Sequence, residues 1–124
     1  MAVSIAYRIA GPAFALSVAN TAHAAVAITD STNDLVTYVS AINRGATDVV
    51  VSFYPLSAAG VAQAPTITFP VDGTPTTIAA HILPASMTQP IVLAVPNGNN
   101  GTSVTAIGSA AGPSIIYITP VSIL

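Results

Sequence analysis

Short runs of β-branched and aromatic residues recur along the chain, separated by clusters of turn-forming residues. Such runs, bounded by glycine, proline, asparagine or aspartate, are typical of β-strands. Ten prolines and eight glycines interrupt nearly every candidate helix, and no window keeps a helical period. The pattern predicts strands in residues 35–42, 47–54, 66–71, 76–83, 90–95, 102–107 and 114–118, with 121–124 extending the last one.

The clearest local signal is a predicted hairpin between the first two of these runs. Its loop consists of residues 43–46, Asn-Arg-Gly-Ala, and Gly45 occupies a position where a positive φ angle is expected. Both flanking runs are rich in valine, threonine and tyrosine, which favour strands. In such a hairpin Arg44 and Asp48 would form an exposed ion pair across the loop.

The spacing of the runs predicts an all-β fold, a single antiparallel β-sandwich of Ig-like or jelly-roll-like type. Strands that recur at short, regular intervals with turns between them are typical of sandwiches and small barrels. A chain of 124 residues is long enough for one such domain with one core. We assign residues 25–124 to the sandwich and residues 1–24 to an extended, apolar N-terminal arm or first strands.

The N-terminal segment allows two other interpretations. Residues 1–25 have features of a secretory signal, but Gly11 and Pro12 interrupt the apolar stretch that a signal needs. Residues 9–28 lack charged residues, yet they contain asparagine, threonine and histidine, which are costly in a membrane. We therefore expect an apolar arm that packs on a neighbouring subunit, and no membrane span. Processing after Ala24 remains the alternative.

Charged side chains are unusually rare in this chain. Only 5% of residues are charged, compared with about 25% in an ordinary soluble domain, and the mean hydropathy is +0.75. Lysine, glutamate and cysteine are absent. Because free monomers usually stay soluble through a mixed charged surface, this composition predicts extensive contact with other protein subunits. Two arginines are too few to follow a phosphate backbone, which argues against nucleic acid as a partner.

No combination of residues predicts a catalytic or cofactor site. His23 and His81 are far apart, and neither has a second ligand at the spacing that a metal site needs. Asp30 and Asp34 are close in sequence, but their segment lacks the glycine and glutamate of a calcium loop and is typical of an Asx turn. No serine occupies a Gly-x-Ser-x-Gly elbow. We predict no enzyme activity, metal, cofactor or small-molecule substrate.

Three segments resemble parts of small Ig-like or jelly-roll-like β-sandwich proteins of tailed-bacteriophage particles. They are a predicted hairpin, a strand–turn–strand segment and a predicted closing hairpin, with the sequences LVTYVSAINRGATDVVVSFYPL, TTIAAHILPASMTQPIVLAV and TSVTAIGSAAGPSIIYITPV. The resemblance covers residues 35–124 and transfers no catalytic residue.

This resemblance implies a structural protein of the virion. The first expectation is a capsid decoration (cement) protein that contacts copies of itself and other virion proteins such as a major capsid protein. A neck or tail position in the virion stays open. A secreted bacterial adhesion or fibre subunit at the cell surface, assembled by strand or arm exchange, is the remaining alternative.

Overall fold

The computed structural model describes residues 7–28, 38–96 and 101–123, and these residues form β-strands and no helix. The predicted all-β class is therefore confirmed. In chain order the strands are β1 (Tyr7–Ile9), β2 (Phe14–Val18), β3 (Val26–Ala27), β4 (Tyr38–Asn43), β5 (Val49–Pro55), β6 (His81–Leu83), β7 (Ile91–Ala94), β8 (Thr102–Gly108) and β9 (Ser114–Ile123).

The strands form two antiparallel sheets that pack face to face, so the coarse prediction of a sandwich is confirmed. The first sheet has the order β1-β9-β4-β7, and β2 also pairs with β9. The second sheet has the order β3-β8-β5-β6. Because β4 lies on the other side of β9, β1 and β2 together form one broken edge strand.

The strand pairs are nested along the chain. β1 and β2 pair with β9, β3 with β8, β4 with β7, and β5 with β6. The first half of the chain thus runs beside the second half like the two arms of one long hairpin. The further pairs β4·β9 and β5·β8 join these arms into two sheets.

The main core lies between the inner faces of the two sheets. Alternate residues of a strand point to opposite faces, so one set from each long strand enters this core. Most of these side chains are valine or isoleucine, which pack well on a pleated surface. The buried members are Leu16, Val18, Ile28, Val39, Ala41, Val49, Val51, Phe53, Leu83, Val95, Val104, Ala106, Ile116 and Ile118.

The long connection between β5 and β6, residues 56–80, packs on the outer face of the second sheet. Ile67 is only 1% exposed and packs with Val50 and Ile107, which point outward from β5 and β8. This contact forms a second, smaller hydrophobic core. Its partly buried members are Phe69, Ile78 and Ala80.

The hairpin predicted around residues 43–46 is wrong. β4 belongs to the first sheet and β5 to the second, so this connection crosses between the sheets. Gly45 does not have the expected positive φ angle. Glycine is needed there because a Cβ atom would lie 1.7 Å from the Oγ atom of Ser114 and 2.6 Å from its Cα atom.

The buried side chain of Asn43 holds this corner together. Its Nδ2 atom donates to the carbonyl oxygens of Thr47 at 2.9 Å and Leu83 at 3.0 Å. Its Oδ1 atom accepts from the Ser114 hydroxyl at 2.8 Å and from the Gly45 amide at 3.0 Å. These bonds satisfy an amide that would be costly to bury unpaired.

The ion pair expected between Arg44 and Asp48 is also replaced by other contacts. Arg44 Nη1 donates to the carbonyl oxygen of Met87 at 2.7 Å. Asp48 Oδ1 accepts from the amide of Ala85 at 2.9 Å. Both side chains therefore anchor the connection between β6 and β7 rather than each other.

Two further sequence predictions need correction. β8 and β9 lie in different sheets, so the predicted closing hairpin is also wrong. Residues 66–71 are part of the irregular connection on the second sheet, and only the last three residues of the run 76–83 form a strand. In contrast, the expected extension of the last strand beyond Pro120 is confirmed, because β9 continues to Ile123.

The N-terminal segment contributes strands to the sandwich. β2 supplies Leu16 and Val18 to the main core. β1 precedes β2 in the chain, lies at the same edge of the first sheet and supplies no buried residue. Residues 1–6 lie outside the described part of the chain, and the predicted boundary at residue 24 stays a prediction.

Candidate interaction surface

The structure does not bring the two histidines together. His23 lies next to β3, and its Nδ1 atom is 2.8 Å from the carbonyl oxygen of Ala24. His81 lies on β6, with its ring centroid 6.4 Å from that of Phe53. Since β3 and β6 are the two edges of the second sheet, these side chains belong to separate surroundings.

The carboxylates give no metal site within the described residues. Asp30 and Asp34, the pair considered for calcium, lie outside the described ranges. Across residues 7–28, 38–96 and 101–123, no three histidine or aspartate side chains come close enough to hold a metal ion.

A shallow groove of about 360 Å³ lies where the edge strands β2 and β3 leave the side of the sandwich open. Its walls are mainly alanine and larger apolar side chains, with one histidine. Ligand pockets usually combine apolar walls with several convergent polar groups. This lining has a single polar side chain, that of His23. The lining residues are Pro12, Ala13, Phe14, Ala15, Leu16, His23, Val26 and Ala27.

The outer face of the first sheet is the most distinctive surface of the molecule, and we call it the open face. The register of β4 and β9 places Ile42 beside Tyr117 and Tyr38 beside Val121 on this face. The register of β1 adds Ile9 next to Val121. The outward residues of the described strands are Tyr7, Ile9, Ala15, Ser17, Tyr38, Ser40, Ile42, Val92, Ala94, Ile115, Tyr117, Thr119, Val121 and Ile123.

None of these outward positions of the first sheet carries a charged side chain. Several large side chains on the face keep contact with solvent: Ile9 is 63% exposed and Tyr117 is 44% exposed. Sheets that face water normally carry polar residues on that side. An uncharged face with tyrosine and isoleucine instead has the composition of an interface core, where aromatic residues are enriched and charged residues depleted.

The outer face of the second sheet, the covered face, provides the contrast. Its central apolar residues lie under residues 56–80. Two of its hydroxyl groups lie against backbone carbonyls of that segment. Ser52 Oγ donates to Ala79 at 2.6 Å, and Ser103 Oγ lies 3.1 Å from the carbonyl oxygen of Gln63 and 3.0 Å from that of Tyr54. The centre of the covered face therefore has its apolar and polar groups satisfied within the chain, whereas Tyr54 and the edge residue Ile82 stay exposed.

The sequence carries a signal for both faces that the strand prediction did not use. β5 (VVVSFYP) and β9 (SIIYITPVSI) are apolar at most positions of both alternating sets. A strand of this kind is expected to be buried on both sides. The outer side of β5 is covered by residues 56–80. On the outer side of β9, in contrast, Tyr117 and Ile123 retain contact with solvent.

Comparison with known proteins adds no relative to this description. No protein-family model, no curated protein and no solved structure matches the chain. Within the described residues, no helix is long and apolar enough to cross a membrane.

Proposed function

We propose that this chain is a structural subunit of a virion, and that its open face packs against neighbouring protein subunits. The carrying observation is the uncharged, tyrosine-bearing open face beside a second sheet whose outer face is covered by the chain itself. Large exposed apolar patches on small domains mark interaction sites. The specific role that we favour is capsid decoration, with copies of the chain and a major capsid protein as partners.

The strand order supports a jelly-roll form of the sandwich as part of this proposal. In a jelly roll, the two halves of the chain pair as one long hairpin that rolls into two sheets of four strands. The nested pairs β3·β8, β4·β7 and β5·β6, with the broken strand β1/β2 on β9, follow this order. Viral capsid proteins, lectins and cupins use jelly rolls, so the topology is compatible with a virion role but does not select it.

The charge distribution supports an outer layer rather than a genome-facing one. A shell surface that faces nucleic acid needs lysine or arginine to neutralise phosphates. This sequence has two arginines and no lysine. A decoration protein, or a neck or tail protein, contacts other proteins and has no such requirement.

A secreted adhesion or fibre subunit is the second candidate, and the position of β2 weighs against its processed form. Removal of residues 1–24 would delete β2 together with its core residues Leu16 and Val18. It would also leave β9 without its partner on that edge of the first sheet. A chain that retains its first strands fits the virion proposal better.

The first test is the mass of the full chain in solution, measured by size-exclusion chromatography with light scattering. The proposal predicts an oligomer that the substitution Tyr117→Lys dissociates, because a lysine would bring an unpaired charge into the contact. Tyr54→Lys is the matched control, since Tyr54 is an exposed tyrosine on the second sheet. A monomer at all concentrations, or equal behaviour of both variants, would contradict the use of the open face.

The virion role needs a separate test. Mass spectrometry of particles purified from the natural source should detect the chain in a fixed ratio to the major capsid protein. Detection only in the cell-surface fraction would favour the fibre alternative.

A further inference from the structure

The edge strand formed by β1 and β2 is interrupted at residues 10–13. β1 places Ile9 opposite Val121, whereas β2 places Phe14 opposite Ile118. Four residues of the N-terminal segment therefore lie opposite only two residues of β9. This surplus makes a bulge between the two pieces of strand.

The residues at this bulge explain why the strand breaks there. Gly11 and Pro12 lie in the bulge, and Pro120 faces it from β9. Neither proline has an amide hydrogen, so the ladder cannot continue normally at either position. At the edge of the break, the amide of Ala10 still donates to the carbonyl oxygen of Pro120 at 2.9 Å.

The two pieces of strand are held in different ways. β2 is fixed to the main core through Leu16 and Val18. β1 has no buried side chain, and Ile9 is largely exposed. Its three residues pair with the last three residues of β9. The same pairing is available on the β9 of any other copy.

Size also indicates a second contact in addition to the open face. Four strands about 4.8 Å apart, from about 13 Å long for β7 to about 33 Å for β9, give that face on the order of 400–500 Å². A standard interface needs about 800 Å² from each partner. A face of this size therefore gives a weak contact unless another element connects the subunits.

We propose that β1 exchanges between copies, so that Tyr7–Ile9 of one chain pairs with residues 121–123 of a second copy in the register seen here. This inference deepens the proposed function and rests on it, because it names a second copy as the partner. Exchange keeps every β1·β9 bond and converts an internal pairing into a link between subunits. Tyr7 and Ile9 also lie on the open face, so the exchanged strand would carry that face across the boundary between copies.

Paired cysteines test the exchange, because the native chain has no cysteine to interfere. Two single variants, Arg8→Cys and Ser122→Cys, are prepared separately, unfolded together, refolded as a mixture and oxidised. These positions face each other in the register, and antiparallel neighbours about 5.5 Å apart at Cα are within disulfide range. A disulfide between the two variants forms efficiently only if β1 of one copy reaches β9 of another.

The control mixture combines Ala27→Cys with Ser103→Cys, a facing pair on β3 and β8 in the second sheet, away from the open face. Because β3 is fixed by the adjacent core residue Ile28, this pair should stay within each chain and give little mixed disulfide. A paired thiol has an effective concentration near millimolar, so at about 10 μM protein the exchanging pair should cross-link roughly a hundredfold faster than the control.

Cross-linking of the first mixture well above the control would support the exchange. Equal, slow cross-linking of both mixtures, while light scattering shows an oligomer, would overturn the exchange and leave the proposed function standing. A chain that is monomeric by light scattering would overturn the exchange and any contact between copies through the open face, and the particle composition would then test the virion role by itself. Equally fast cross-linking of both mixtures would also overturn the proposed exchange of β1, because the exchange would then not be confined to that strand.

Discussion

The outer faces of the two sheets both carry apolar side chains, but only one of the faces is covered by another segment of the described chain. Each sheet has a long central strand that is apolar on both sides, β5 in the second sheet and β9 in the first. In the second sheet, residues 56–80 cover the outer side and bury Ile67. In the first sheet, the tyrosines and isoleucines of the open face keep their solvent contact. Under the proposed function, another subunit supplies the cover of the first sheet.

The contrast extends to polar groups. On the covered face, the hydroxyl groups of Ser52 and Ser103 bond to backbone carbonyls of the covering segment. The covering contact is thus polar as well as apolar, because displacement of the segment would remove the acceptor of the buried Ser52 hydroxyl. The open face offers tyrosine hydroxyls and apolar side chains to a partner, a combination common at protein interfaces.

The largest expected effect comes from the longer of two deletions at the N-terminus. Deletion of residues 2–19 removes Leu16 and Val18 from the core. At roughly 2–5 kcal/mol for each large core side chain removed, the loss approaches the whole stability of a small domain. We expect an insoluble or unfolded chain, measured by circular dichroism and recovery after purification.

The shorter deletion of residues 2–9 spares β2 and removes β1, which contributes no buried side chain. This variant should fold with a loss of about 1 kcal/mol or less, and light scattering should show weaker assembly. If both deletions unfold the chain, β1 and β2 act as one element, and the separation of assembly from core stability is incorrect.

The next prediction compares the loss in free energy of unfolding when an isoleucine is shortened on each face. Ile67→Ala should lower the free energy of unfolding by about 2–4 kcal/mol, because it empties the centre of the small core on the covered face. Ile123→Ala on the open face should cost about 0.5 kcal/mol in the dissociated chain, since its side chain is already partly in water. Urea unfolding at low protein concentration measures both. Equal losses would mean that the open face is stabilised within the chain.

A smaller effect is expected for the hydroxyl contacts. Ser52→Ala removes the 2.6 Å bond to the Ala79 carbonyl and should cost about 1 kcal/mol. Ser17→Ala on the open face is the matched control and should change stability by less than about 0.5 kcal/mol. A Ser52→Ala variant as stable as the native chain would show that the covering segment is held by apolar contacts alone.

The strand content was predictable from sequence because the runs of valine, isoleucine and threonine identify strands locally. Their pairing was not predictable in the same way. Residues 43–46 have the composition of a hairpin loop, yet Asn43 bonds across to Leu83 and directs the chain into the other sheet. Local turn chemistry does not specify which strands pair, because tertiary contacts decide between a hairpin and a corner.

The sequence predicted an interaction surface only through the overall composition of the chain, without a position for it. The scarcity of charge indicated contact with neighbours, but not where. Residues 66–71 do not form the predicted strand but lie in the segment that covers β5. Among the described residues, no such segment covers the outer side of β9, where Tyr117 is 44% exposed. The position of such an irregular cover depends on long-range packing, which strand periodicity does not report.

The most direct test of the central claim compares two tyrosines within one sample. Tyr38 on the open face and Tyr54 on the second sheet are both 36% exposed in the isolated chain. Nitration of tyrosine rings, followed by mass spectrometry over a range of protein concentrations, reports the solvent contact of each ring. The account predicts that Tyr38 becomes protected as the chain assembles while Tyr54 stays reactive. Equal reactivity of the two tyrosines in the assembled state would contradict it.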